Sequence, residues 1–93
     1  MKKNIALVGF GTAGQRFFTC LKKKKNINII KIIVKTKRNI FFKKKNIGGT
    51  FLDIKNLIDI DAVIIATSYK ASFKYAEFFL KKNIPILIEQ PFC

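Results

Sequence analysis

The sequence predicts an α/β fold with a doubly wound, mostly parallel sheet, built as one domain over residues 1–93. Three observations predict it. Short apolar runs alternate along the chain with segments of helical spacing, a glycine-rich turn follows the first run directly, and the length leaves room for one core only. An alternating βα order implies right-handed crossovers, with helices on both faces of the sheet.

Residues 4–9 (NIALVG) are a continuous apolar run ending in glycine, the pattern of a buried strand. A helix is expected over 15–25, with Phe17, Phe18 and Leu21 on its apolar side. Lys22 to Lys25 would suit the negative end of its dipole, and Asn26 would take the left-handed position after it. Residues 29–34 (IIKIIV) are β-branched and nearly all apolar, as a strand buried on both faces should be. Residues 35–45 are basic and irregular and read as either a short helix or a loop. Gly48 and Gly49 punctuate, 50–52 read as a short edge strand, and Asp53 reads as the cap of a helical turn through 59. Residues 61–66 (DAVIIA) repeat the central-strand pattern. Ser72 opens a second helix through Lys82, with Phe73, Ala76, Phe79 and Leu80 inward, and Asn83 closes it as Asn26 closes the first. Residues 84–89 (IPILIE) form the last strand, where Pro85 is tolerable near the start. The sheet is thus expected to be truncated after its fifth strand, with Ile86, Leu87 and Ile88 on an unpaired apolar edge.

Nineteen Lys and Arg against five Asp and Glu give a net charge of +14, which fits an anionic partner. The excess is discounted by a wider skew: Phe, Tyr, Met, Ile, Asn and Lys supply 53 residues and Gly, Ala, Arg and Pro only 15, as an AT-rich genome would write. Histidine is absent, which excludes His-based acid–base pairs and His-containing zinc sites. Two cysteines, Cys20 and Cys93, are too few for a zinc site and do not read as a secreted disulfide framework, so a reducing cytoplasm is expected. Cys20 reads as a small apolar helix residue. Gln15 and Arg16 break the first apolar stretch before it could serve as a signal peptide, and no window reaches membrane-spanning length.

The chemistry is carried by Gly9-Phe10-Gly11-Thr12-Ala13-Gly14, a G-x-G-x-x-G placed after a strand and opening a helix. Gly9 permits the tight turn, Gly11 lets the backbone approach a pyrophosphate, and Gly14 lets helix and strand pack closely. A pyrophosphate then meets free N–H groups and the positive dipole end. The pattern predicts a Rossmann-like dinucleotide site. An NAD site usually carries an Asp or Glu about 20 residues further on, binding the ribose hydroxyls. This chain has Lys35, Thr36, Lys37 and Arg38 there, and no carboxylate before Asp53. Cations with a hydroxyl suit a 2′-phosphate, Arg38 in bidentate fashion, so NADP(H) is favoured over NAD(H).

Taken with two further segments, the turn resembles the Gfo/Idh/MocA oxidoreductase family. The three are IALVGFGTAGQRF, DAVIIATS from Asp61 to Ser68, and IPILIEQPF from Ile84 to Phe92, in the family's order and spacing. The resemblance implies an N-terminal NAD(P)-binding domain of a sugar-type oxidoreductase, with the second, substrate-binding domain absent. It implies cofactor contacts from Ala66, Thr67 and Ser68, and from Glu89 and Gln90 beside the nicotinamide. Gln90 stands where the family has the E-K-P lysine, and Ser68, Tyr69, Lys70 and Ser72 also depart from the usual residues. An amide donates hydrogen bonds but supplies neither a cation nor a proton acceptor at neutral pH, so no residue of this chain is assigned a catalytic role.

Three readings of function follow. The first is a dinucleotide-binding domain that is not catalytic alone. The second is half of a split NADP-dependent oxidoreductase completed by another chain. A second chain or self-association is expected over the exposed sheet edge in either case. The third, a basic nucleic-acid-binding module, is disfavoured because the lysines are scattered over helix ends and loops without an interleaved aromatic stripe.

Overall fold

The computed structural model describes residues 2–57, 59–67 and 69–87. Its elements are β1 (Lys3–Val8), α1 (Thr12–Leu21), β2 (Ile27–Val34), β3 (Phe41–Phe42), β4 (Lys45–Asn46), β5 (Gly48–Thr50), a 3-10 helix (Phe51–Asn56), β6 (Ala62–Ile65), α2 (Tyr69–Lys81) and β7 (Ile86–Leu87). Five of the strands make one parallel sheet in the order β5-β2-β1-β6-β7. The chain winds outward from β1 in one direction, then crosses back to add β6 and β7 on the other side. That crossing creates a switch point beside β1, where adjacent connections part and leave a crevice at the strands' carboxyl ends.

Side-chain alternation along β1 assigns the two faces. Ile5 and Leu7 pack with Phe17 of α1, Ile29, Ile32 and Ile64, whereas Ala6 and Val8 pack with Val63, Ile65 and Ala76 and Phe79 of α2. One helix therefore lies on each face, as a doubly wound sheet requires. β1 at the centre is buried on both faces, which explains why its sequence is a continuous apolar run rather than an alternating one.

Several boundaries differ from expectation. α1 starts at Thr12 rather than at residue 15, because Gly14 lies inside the first helical turn. It ends at Leu21, and the lysines beyond it form a turn in which Lys24 N–H donates to the Leu21 carbonyl at 3.0 Å. Asn26 is not left-handed, whereas Asn83 is, with φ 58°. Leu80 points outward and is 59% exposed, because the inward face of α2 runs through Ala76 and Phe79. The edge strand is Gly48–Thr50 rather than 50–52. Asp53 lies within the following turn, where its Oδ2 accepts the Thr50 N–H at 2.6 Å, reaching back as the third residue of a capping box does. That bond, helped by Lys31 and Lys37, holds the carboxyl below its ordinary value. Residues 41–46, all but the last within the segment left open as helix or loop, form a β3–β4 hairpin with Lys43 and Lys44 at its tip, at φ 52° and 65°. Cys20 is half-buried on α1. Among the described residues, no helix is long and apolar enough to cross a membrane.

Candidate functional site

Two backbone bonds tie three strand ends together above the sheet. Gly9 N–H donates to the Ile33 carbonyl and Ala66 N–H to the Val8 carbonyl, both at 2.8 Å. The glycine turn leaves from this junction, and the Gln15 amide steadies it by donating to the Phe10 carbonyl at 3.0 Å.

The three glycines are not equivalent. Gly9 has φ 101°, and a Cβ there would stand 2.5 Å from the Ala66 carbonyl oxygen. A Cβ on Gly14 would strike the Gly9 carbonyl. Both are glycine because the protein's own backbone fills the space. Gly11 has ordinary extended geometry, and a Cβ there would meet nothing within 4 Å. Nothing inside the protein requires glycine at that position, and the open space in front of it lies at the start of α1. That start carries no side-chain cap and no acidic residue in its first turn. Its first amide hydrogens therefore have no intrahelical acceptor and face outward with the positive end of the dipole. An anion closing on the Gly11 backbone is what this arrangement fits.

Beside the turn lies an open groove of about 750 Å³. The structure brings to it Gly9, Phe10 and Gly11, the four residues Lys35, Thr36, Lys37 and Arg38 beyond β2, and Ala66 and Thr67 beyond β6. Thr12, Ala13 and Gly14 do not line the groove; they form the helix start next to it. Ser68, Glu89 and Gln90 lie outside the described residues. Ile33, Val34 and Tyr75 also line the groove and were not foreseen. The two aliphatic residues end a strand already read as core. Tyr75 carried no signal, since it falls between the inward positions of α2. It is half-buried, and desolvation raises its phenol above the ordinary value of 10.0.

The cationic wall belongs to a strongly positive stretch of the chain. Residues 1–52 carry fourteen Lys and Arg and no Asp or Glu, whereas 53–93 carry five of each. Such a field raises the local concentration of an anionic ligand. Lys37 is partly answered by Asp53, but among the described residues no carboxylate pairs with Lys35 or Arg38. Arg38 instead rests over the Phe10 ring, 5.2 Å from its centroid. Phe10 meets Phe18 edge-on at 5.7 Å, and Phe18 meets Phe42 at 6.0 Å, with Lys22 over the Phe18 ring and Lys43 over the Phe42 ring. The sequence showed no such array. Each of these three rings thus has a cation over one face.

A family-wide profile described as an oxidoreductase family with an NAD-binding Rossmann fold, GFO_IDH_MocA, matches residues 3–93. The chain belongs to the Gfo/Idh/MocA family. It corresponds to the family's NAD-binding domain, and solved structures agree on the fold of this Gfo/Idh/MocA chain. A myo-inositol dehydrogenase from Corynebacterium glutamicum ATCC 13032 superimposes with TM-score 0.76 at 18% identity, over 98% of this chain and 28% of that one. An engineered D-amino acid dehydrogenase bound to NADP+ gives TM-score 0.68 at 14% identity, over 95% and 27%. The DAP dehydrogenase of C. glutamicum, in complex with DAP, gives 0.59 at 19% identity, over 83% and 25%. The Gfo/Idh/MocA chain thus spans between a quarter and three-tenths of these structures' length. No curated protein matches it.

Proposed function

We propose that this chain binds NADP(H) in preference to NAD(H), as the dinucleotide-binding part of an oxidoreductase, and is not catalytic alone. The observation that carries the binding is Gly11, a glycine with open space before it at an uncapped helix start. Gly9, Phe10, Gly11, Thr12, Ala13 and Gly14 would hold the pyrophosphate, and Lys35, Thr36, Lys37 and Arg38 the 2′-phosphate on the adenosine ribose. Ala66, Thr67 and Ser68 would floor the cofactor, with Glu89 and Gln90 at its nicotinamide end. When bound, the nicotinamide supplies hydride transfer; the substrate pocket belongs to a part of the family's architecture beyond this domain. The preference for the phosphorylated cofactor is supported by Lys35 and Arg38, which line the groove unpaired with any described carboxylate.

The same reading includes a second chain, or a second copy, beside β7. Among the described residues that strand pairs with β6 alone and ends the sheet, so it presents an edge open to pairing. Cytoplasmic placement also belongs to the proposal and rests on the cysteine count.

A thermal-shift titration with NADPH and with NADH tests the proposal, because a ligand that binds only the folded state raises Tm as it exceeds Kd. A dose-dependent rise, larger with NADPH, is expected. Arg38→Ala should weaken NADPH about tenfold and change NADH less than about threefold, the loss of one charge-assisted contact. A flat response to both ligands overturns the binding; equal responses overturn the preference alone.

A further inference from the structure

We infer that Tyr75 is the wall of the groove that recognises the purine base of the cofactor, in the main by ring contact and to a lesser degree through its phenol. The inference rests on the dinucleotide reading and names a residue which that reading leaves without a role. In a site of this geometry the glycine turn takes the pyrophosphate, and the residues ending the second strand take the adenosine ribose. The base is then carried into the groove beside Lys35–Arg38, over a floor of Ile33, Val34 and Ala66. Two aromatic side chains among the described residues line that space, Phe10 and Tyr75. Phe10 is committed, with Phe18 against its ring at 5.7 Å and Arg38 over its face at 5.2 Å.

Tyr75 is differently placed. It stands on α2, across the sheet from α1, and one edge-to-face contact with Phe51, at 5.3 Å and 67°, fixes its ring. It is half-buried, and no hydrogen bond to its phenol is made by the described residues. A half-buried aromatic whose O–H no described residue engages matches a purine, which offers a π face together with ring nitrogens that accept hydrogen bonds. Purine contact with such a ring is worth about tenfold in affinity.

The test compares the wild-type chain with Tyr75→Leu and Tyr75→Phe. NADPH binding is followed by the fluorescence of the reduced cofactor, and ADP-ribose and inorganic pyrophosphate are used as competitors. Tyr75→Leu should weaken NADPH and ADP-ribose about tenfold and leave pyrophosphate unchanged, because pyrophosphate needs only the glycine turn. Tyr75→Phe, which keeps the ring and its contact with Phe51, should stay within about threefold of wild type. A melting curve for each variant confirms that it is folded at the assay temperature. Wild-type binding with unchanged ADP-ribose affinity in Tyr75→Leu overturns this inference and spares the dinucleotide reading. An equal loss for pyrophosphate and ADP-ribose assigns Tyr75 to packing and overturns it too. Failure of the wild-type chain to bind any of the three probes removes both.

Discussion

On one side of the groove, Gly9, Gly14 and Ala66 hold one another in place through backbone atoms. On the other, Lys35, Thr36, Lys37 and Arg38 project from the end of β2, exposed, with one of their cations leaning on a phenylalanine ring. The first side is specified from within, since its residue types follow from van der Waals distances that exist whether or not a ligand is present. The second is specified only weakly from inside the protein, by the lean of Arg38 on Phe10 and the attraction between Lys37 and Asp53. Identities on that side answer to a ligand or to composition. Gly11 lies physically on the first side but belongs by this criterion to the second.

The largest effect that would test the division comes from filling the internal glycines. In Gly9→Ala the new Cβ meets the Ala66 carbonyl at 2.5 Å on a backbone with φ 101°. Strain and overpacking of that kind cost about 3 kcal/mol together, which for a domain of this size lowers Tm by about 10–20 °C. Gly14→Ala should fall in the same range, because its Cβ strikes the Gly9 carbonyl and helix and turn must part to admit it. Calorimetry without ligand reads this directly. A Tm within a few degrees of wild type for both variants would mean that the turn is loose and the comparison misdrawn.

Gly11→Ser should do the reverse. Serine is a good N-cap and Gly11 occupies that position at an ordinary φ of −75°, so stability should hold or rise by a few tenths of a kcal/mol. The added side chain stands where an anion has to approach, and NADPH affinity should drop tenfold or more. A variant as tight as wild type would show that the open space before Gly11 is not used.

The same criterion explains what could be read in advance. β1, β2 and β6 were legible because strands buried on both faces must be continuous apolar runs, and the glycine turn because its spacing follows from backbone contact. Every described residue assigned to cofactor binding lines the groove or opens the helix beside it. The ends of α1 were missed for two reasons. Gly14 reads as a turn residue although its lack of a side chain serves packing inside the helix. The lysines after Leu21 are good helix formers, but they repel one another and tighten into a turn instead. Gly48 was misread as punctuation. It lies inside the edge strand because a Cβ there would strike the Arg38 carbonyl, a contact between segments ten residues apart that no local pattern reveals. Tyr75 was invisible because its importance depends on which way α2 is rotated over the sheet.

The β3–β4 hairpin offers the smallest and sharpest test, since it belongs to the side specified from outside. A two-residue turn with both central residues at positive φ calls for Asn-Gly, yet Lys43 and Lys44 stand there at 52° and 65°. Lysine pays for that conformation, and the missing turn signature is also why the hairpin escaped sequence reading. The double variant Lys43→Asn with Lys44→Gly should therefore stabilise the chain, by about 1 kcal/mol and a few degrees in Tm. Neither lysine lines the groove, so at physiological salt NADPH affinity should change less than about twofold. Stabilisation with unchanged binding would show that this segment tolerates strain nothing selects for, and that the ligand-facing side ends near Arg38. Stabilisation with a large loss of NADPH affinity would extend the cationic wall along the hairpin and make its two strained lysines part of the site.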